Sequence, residues 1–392
     1  MSTIRLKNIR ILDLENGKYS LKPCSMRIDT TTSVILDIDF HTDAKDGFDF
    51  QNDILIPRLF NIHCHLGEHH FRSIDGNDWT ILRYLEYTNQ FNDNLSKEEV
   101  SRTWEESAEK TLCECIQYGT GGICAGRAAK AVEKTNLHCM AGYPLMNTKK
   151  LDAYTKRGID GFLAYKEHYE QQRCNVGLLM HSLYANDRDS IHTAAECLEK
   201  GAGFFAIHLS EDRKTRQLEI EKCKKKPVCY LDSNGLITDK TIIVHGGCLD
   251  DEELRILSQR HSIVAICPIS NEFLNTAPAD INKLNAYGIE WCIATDGPAT
   301  GRTMSLLKQS KKIVTDNPKI HPADVFKAMT TIPARLYNRS IYQGVFRVGT
   351  EAVGLKIKHT VKSCDELIEG IVNDTIPYEE FDVTKLTPER HT

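Results

Sequence analysis

The chain has 392 residues, 41% of them hydrophobic, and a formal net charge of −5. That size suits one large domain with a satellite, or two ordinary ones, with enough apolar material to fold without disulfide or metal staples. Its charges alternate instead of forming blocks, so no basic face for nucleic acid is expected, and no apolar run approaches the ~18 residues of a membrane span.

The first residues, Met1-Ser2-Thr3-Ile4-Arg5, carry no charged-then-apolar secretory pattern. Fourteen cysteines are scattered through apolar segments without a C-x-x-C pair. They read as buried, reduced thiols of a cytoplasmic protein. Residues 1–57 are expected to form short strands. Ile4 to Ile11 alternate apolar with polar, and Glu15-Asn16-Gly17-Lys18 is a turn signal. From Ile54 onward apolar strands alternate with longer helical stretches. Strands are predicted at 54–62, 120–124, 138–143, 176–180, 204–207, 241–244, 263–266 and 291–295. The intervening helices include 97–118, where Ser96 and Glu99 suggest a capping box, then 193–200 and 250–260. After about Tyr342 short alternating segments return, among them Ala352 to Lys358. The predicted fold class is α/β. A (β/α)8 TIM barrel is expected over 58–342, with a small split β-sandwich domain built from 1–57 and 343–392. An open doubly wound sheet is disfavoured because no Gly-rich phosphate loop follows any strand.

The chemistry begins at His63-Cys64-His65, directly after the first barrel strand. Residues two apart on an extended chain point the same way, so both imidazoles leave the strand end together. The layout then repeats. His208 follows Phe204 to Ile207, His245 follows Thr241 to Val244, and Asp296 follows Trp291 to Thr295. Barrels of this kind carry their chemistry at these C-terminal strand ends. His63, His65, His208 and Asp296 are therefore expected to hold one divalent metal ion, Zn2+ foremost and Fe2+ as the alternative. Taken singly, His208 reads equally as an ordinary strand-end histidine, and Asp296, in Thr295-Asp296-Gly297-Pro298, as a turn or cap residue.

Several stretches carry a resemblance: PRLFNIHCHLGE at 57–68, IHLSED at 207–212, VHGG at 244–247, CPISN at 267–271, ATDGPAT at 294–300 and MTTIPARLYN at 329–338. Through them the chain resembles the amidohydrolase superfamily, in its mononuclear deaminase and triazine-chlorohydrolase branch. The likeness runs nearly end to end. Binuclear relatives carry a bridging lysine on the fourth strand; here Val176 to His181 has none and Lys166 lies upstream, so the resemblance implies a single metal ion. It also assigns Glu211, three residues beyond His208, as the proton shuttle. His245 would hydrogen-bond the attacking hydroxide or the developing oxyanion, and Asp296 would accept a proton from water as well as binding metal.

The same resemblance points to a substrate pocket. His181 stands where related deaminases have an HAPY-like segment, here His181-Ser182-Leu183-Tyr184. Glu68 and Arg72 lie in a loop resembling the first active-site loop of methylthioadenosine and S-adenosylhomocysteine deaminases. Those enzymes read ribose with a glutamate for which this chain offers only Asp93. His69 and His70 are expected to line the loop or pocket. Trp79 and Phe91 supply either an apolar wall or core packing. Arg127 reads as an anchor for a substrate carboxylate or as a surface arginine, and Asn271 as a substrate contact or an Asx turn. The expected activity is a metal-dependent aminohydrolase that uses metal-activated hydroxide to displace ammonia from a heterocyclic or amidine-like carbon of a small molecule. Cleavage of a cyclic amide or a carbon–halogen bond is the alternative within the same branch, and a metal-free structural paralogue the alternative outside it. A homodimer is an expectation from resemblance.

Overall fold

In a computed structural model of the protein, residues 3–41, 44–76, 78–126, 129–146, 158–337 and 343–386 are described. The chain divides into two compact units. Met1–Phe60, Gly119–Gly121 and Ser310–Thr392 make up one, and Asn61–Tyr118 with Gly122–Gln309 the other. Among the described residues no helix is long and apolar enough to cross a membrane.

The first unit contains a seven-stranded, mostly antiparallel sheet. β1 (Thr3–Glu15) and β2 (Lys18–Asp29) form a long hairpin. Its turn residues, Asn16 and Gly17, sit at φ 51° and 78°. Left-handed conformations at both positions match the twist of the flanking strands, which is why Asn-Gly closes such hairpins. β3 (Ile35–Asp39) extends this sheet beyond β2, and β4 (Phe48–Asp49) pairs with β1. β5 (Ile54–Pro57) runs parallel to β1 and antiparallel to β14 (Val353–Ile357), which in turn pairs with β15 (Glu379–Asp382). Strands from both ends of the chain thus share one sheet. Leu6, Ile11, Met26, Leu55 and Phe346 close over its buried face.

The remaining strands are β6 (Leu59–Asn61), β7 (Thr120–Ala125), β8 (His138–Leu145), β9 (Asn175–Met180), β10 (Phe205–Leu209), β11 (Thr241–His245), β12 (Ile263–Ile266) and β13 (Glu290–Ile293). They form a parallel sheet in which every strand lies beside its sequence neighbour, β6 at one edge and β13 at the other. This is a nearly closed (β/α)8 barrel. β7, β11 and β12 are buried at every residue, as expected where helices cover one face and packed side chains fill the other. The seam between first and last strands is bridged by a side chain. The Asn61 amide donates to Thr295 Oγ1 at 2.7 Å and its carbonyl oxygen accepts from the Thr295 backbone N–H at 3.2 Å.

The alternation of strand and helix agrees with the expected order, with one correction. The apolar run 54–62, read as a single strand, is two. Pro57 ends β5 in the antiparallel sheet, and β6 opens the barrel at Leu59. Ile54 to Asn61 is buried throughout, Arg58 included, so burial on both sides of Pro57 conceals the change of sheet. The helix expected over 97–118 is present as Lys97–Gln117, with the Ser96–Glu99 capping box formed in both directions. The helix expected at 193–200 begins earlier. Arg188–Glu199 starts behind Asp187, whose carboxylate accepts from the Ser190 N–H.

Asn61 is fully buried, and truncating it leaves the Thr295 N–H without its partner and removes the donor to Thr295 Oγ1, which still donates to the Asp296 carbonyl. Asn61→Ala is expected to lower unfolding stability by about 1–3 kcal/mol, the usual range for orphaned buried hydrogen-bonding groups. Urea unfolding with an unchanged m-value measures it.

Candidate metal centre and active site

Four donor atoms meet at the C-terminal mouth of the barrel. His63 and His65 follow β6, His208 is the penultimate residue of β10, and Asp296 lies three residues past β13. His208 Nε2 is 3.1 Å from His63 Nε2 and 3.2 Å from His65 Nε2. Asp296 Oδ1 is 3.4 Å from His63 Nε2 and 3.1 Å from His65 Nε2. One ligand atom from each of the four residues fits within 4.8 Å of every other. A cation bound tetrahedrally at about 2.0–2.1 Å separates its donors by roughly 3.3–3.4 Å. The four separations bracket that value, so these residues could hold one ion of zinc-like size.

Surrounding groups aim each donor. His208 Nδ1 lies 2.7 Å from the His181 carbonyl, to which its N–H donates, and this leaves Nε2 as the lone-pair nitrogen facing its neighbours. Asp296 Oδ2 accepts from Ser270 Oγ at 2.5 Å and from Thr300 Oγ1 at 2.9 Å, so Oδ1 is the oxygen turned toward the imidazoles. A Cβ on Gly297 would collide with the Glu68 carboxylate and crowd His65. Glycine there lets the loop after Asp296 approach the loop after β6.

Burial favours neutral imidazoles, pushing His63 down and His208 well below the ordinary value. Neighbouring histidines add to the effect at His208. Asp296 is itself buried, which opposes ionisation, but hydrogen bonds from His63 and His65 and their charges hold its carboxyl well below the usual range. Cation binding requires neutral imidazoles beside an ionised carboxylate, and burial of His63 and His208 favours the first of these.

Glu211 and His245 stand beside this quartet. Glu211 Oε1 is 3.8 Å from His245 Nε2. It is buried and has no hydrogen-bond partner among the described residues. Burial, with Asp296, Asp212 and Glu219 adding like charge, raises the Glu211 carboxyl well above its ordinary value. His245 Nδ1 lies 3.4 Å from Asn271 Nδ2, whose N–H donates to it, so the ring's own proton sits on Nε2, facing Glu211. Burial pushes His245 down to about 4.

The turn carrying Glu211 is pinned from behind. Ser210 takes φ 49°, and its backbone N–H donates to Glu219 Oε2 at 3.1 Å. Arg216 donates to Ser210 Oγ at 3.1 Å and pairs with the buried Glu253 carboxylate at 2.6 Å. His245 and Asp296 also adopt left-handed conformations, at φ 71° and 59°. Such backbone costs about 1–3 kcal/mol at a non-glycine residue and persists where surrounding contacts over-determine it.

A cavity of about 760 Å³ opens over these groups, and His63, His65, His208, Glu211, His245 and Asp296 all line it. Its outer wall comes from α1 (Ile81–Asp93) and α2 (Lys97–Gln117), through Leu85, Asn89, Asp93 and Trp104. Of the residues expected to meet substrate, His181 and Glu68 lie on the wall. Glu68 Oε2 accepts from the Tyr84 hydroxyl at 2.8 Å.

Arg72 and Asn271 are not on that wall. Arg72 pairs through two nitrogens with Glu114 and donates to the Arg302 carbonyl at 3.0 Å, so its guanidinium is used inside the protein. Asn271 lies behind His245 and also bonds Thr276 Oγ1 at 2.7 Å, a bracing position. Arg127 lies outside the described residues. His70 turns from the cavity toward Phe71 and Phe91 and bonds Ser107 Oγ at 2.9 Å. Trp79 and Phe91 pack in the cluster around Phe71 and Tyr84. The hydroxyls of Ser270 and Thr300 and the Glu219 carboxylate escaped the sequence reading. Ser270 and Thr300 lie inside the CPISN and ATDGPAT stretches, where a hydroxyl flanking a candidate ligand was the available signal.

Known proteins resemble this chain in sequence and in fold. The chain is 25% identical over 337 residues to a 5-methylthioadenosine/S-adenosylhomocysteine deaminase of Pyrococcus abyssi, covering 81% of this chain and 77% of that one. It is 26% identical over 310 residues to a 5'-deoxyadenosine deaminase of Methanothermobacter thermautotrophicus, covering 75% and 71%. An adenosine deaminase from Xanthomonas campestris, solved with bound zinc, superimposes with a TM-score of 0.82 at 16% identity, covering 98% of this chain and 92% of that one. Residues 54–358 match the model of the amidohydrolase family, and the chain belongs to that family.

Proposed function

We propose that the protein is a hydrolytic deaminase, exchanging an amino group on an electron-poor ring or amidine-like carbon for oxygen with release of ammonia. The observation that carries this reading is the buried, unpartnered Glu211 Oε1 beside His245 and the four-donor cluster. Relatives named as deaminases of adenosine-type nucleosides support it. They make amino-substituted purines the first substrates to try, and the cavity of about 760 Å³ has room for a nucleoside.

In this scheme His63, His65, His208 and Asp296 hold one divalent cation, zinc being the ion that suits three imidazoles and a carboxylate. Such an ion lowers the pKa of a water from about 15.7 toward roughly 7, making hydroxide available at neutral pH. The protein's own groups do the rest. With a cation bound to offset the burial and like charge that raise its carboxyl, Glu211 Oε1 would take a proton from the attacking water and return it to the amino nitrogen as the carbon–nitrogen bond breaks. Asp296, its Oδ2 held by two hydroxyls, would accept the second proton of the attacking water, the one left on oxygen once Glu211 has carried the first to nitrogen, and release it to product or solvent. The His245 Nε2–H donates to the oxygen on which negative charge develops, and Asn271 keeps that proton on Nε2. His181 and Glu68 hold the ring against the wall from which they project.

Ammonia release, assayed across purines, pyrimidines, pterins and triazines, tests the reading directly; release from none of them would count against deamination. Glu211→Gln keeps shape and removes the proton carrier. It should leave bound metal unchanged and lower turnover by about 10²-fold or more.

Ser270→Ala removes one of two hydroxyls holding Asp296 Oδ2. It is expected to weaken metal affinity by about 10- to 100-fold, as for other groups that orient a ligand, read by competition with a chelator.

Acid should destabilise the chelated protein in a defined window. Burial pushes both His70 and His245 down to about 4. In the unfolded chain each binds a proton near pH 6.5, roughly the ordinary value. Below that pH the unfolded state carries more protons than the folded one, so stability declines as pH falls toward about 4. The urea midpoint should be lower at pH 5 than at pH 7, and His70→Gln should narrow the gap.

A further inference from the structure

Among the described residues of the barrel unit, two pairs of thiols lie near enough to influence each other's ionisation: Cys64 with Cys115, and Cys139 with Cys174. Both members of the first pair are buried. In the second, Cys139 is buried but Cys174 is half-exposed. We propose that Cys139 and Cys174 are a redox-active pair that closes to a disulfide by exchange with a small-molecule disulfide.

The strand register supports this geometrically. β8 and β9 run parallel with Met140 opposite Asn175. One residue earlier on each side stand Cys139 and Cys174. Neighbouring strands lie about 4.7–4.9 Å apart, inside the roughly 4.4–6.8 Å Cα separation that a disulfide spans. The two residues thus face each other where the strands enter the sheet, and little backbone movement is needed to join them.

The chemistry is asymmetric. The proximity of the two sulfurs lowers the Cys174 pKa and raises that of Cys139, burial adding to the rise at Cys139; the Cys174 Sγ–H itself points to the Gln172 carbonyl at 3.9 Å. Glu133 works against thiolate formation at both. Cys174 is the half-exposed, more acidic partner and makes the first attack. Its thiolate displaces one thiolate from the small disulfide and forms a mixed disulfide. Cys139 then loses its proton, attacks Cys174 Sγ and expels the second small thiol. Two protein thiols and one small disulfide become one protein disulfide and two small thiols. Two electrons and two protons pass to the small molecule.

The bond would form at the N-terminal ends of the strands, opposite the mouth that holds His181 and His208. It closes a loop of about 35 residues and so restricts the unfolded chain. This inference does not depend on the deaminase reading.

The test incubates the full-length protein with oxidised glutathione, blocks remaining thiols and maps peptides by mass spectrometry. The expected result is loss of two hydrogens with Cys139 and Cys174 in one linked peptide, reversed by dithiothreitol, and a thermal midpoint raised by about 3 °C or more. C139S should retain one glutathione on Cys174, because the resolving thiol is gone. C174S, altered at the half-exposed position, should form neither the link nor an adduct on Cys139. Wild-type protein in which Cys174 stays free, keeps a single glutathione, or joins a different cysteine would overturn the proposal. So would an adduct on Cys139 in C174S.

Discussion

Placing an ionised Asp296 inside the protein is the constraint on which the rest of the site depends. The carboxylate is 5% exposed. Removing such a charge from water costs several kcal/mol after relaxation unless it is paired and hydrogen-bonded. Two hydroxyls satisfy one oxygen, while the other faces imidazoles that burial keeps neutral. Glu211 lies close enough to repel it, which is one cause of the raised Glu211 carboxyl. Without a cation, the positive charge that would stabilise Asp296 must come from protonating His63 or His65, which burial opposes at His63. A divalent cation at the point where the donors converge would balance Asp296 and relax Glu211 together. The donors' spacing and the electrostatics therefore favour the same occupant.

Holding that cluster open requires unusual backbone. Ser210, His245 and Asp296 all turn left-handed at or just beyond the ends of their strands. After Ser210 the next side chain, Glu211, faces the cavity, whereas His245 and Asp296 carry the left-handed turn at the cavity-lining residue itself and are each followed by a glycine. The strands beneath are ordinary, with regular pairing through Leu209 opposite His245. Strain is confined to the last residue or two, where Glu219, Arg216 and Asn271 brace it from the side away from the cavity. A rigid sheet carrying short strained tips can fix several side chains to one point, which a flexible loop could not do.

Much of this was legible in the chain because both relevant signals are local. Apolar runs ending in a single polar residue marked β10 and β11, and the alternation of strands and helices marked the barrel. Ser96 and Glu99, three residues apart, sufficed for the start of α2. What escaped depends on distant partners. Arg72 has the polarity of a substrate contact, but Glu114, 42 residues away, claims its guanidinium. Asn271 is set by His245 and Thr276, not by its own segment. The strand at 54–62 divides because β14, from far along the chain, pairs with its first half. Hydrophobic period records burial, but it does not record which sheet does the burying.

The cavity separates two tasks between different parts of the fold. Strand ends supply the candidate donors and the proton carriers of the proposed scheme, whereas α1 and α2, inserted between β6 and β7, supply the outer wall. Several contacts join the two sets: Tyr84 of α1 donates to Glu68, which follows His65 by one turn, and Thr111 of α2 donates to the Leu66 carbonyl at 2.9 Å. Leu85, Asn89 and Asp93 can therefore change the shape and polarity presented to substrate without altering the spacing of the donors. Alteration of Tyr84 or Glu68 would reach both. A single reaction centre could thus be kept while the preferred ring or ring substituent changed, with the insertion between the first two barrel strands acting as the variable element. The Glu68–Tyr84 hydrogen bond then sets one limit on that freedom, because it ties the wall to the loop that positions His65.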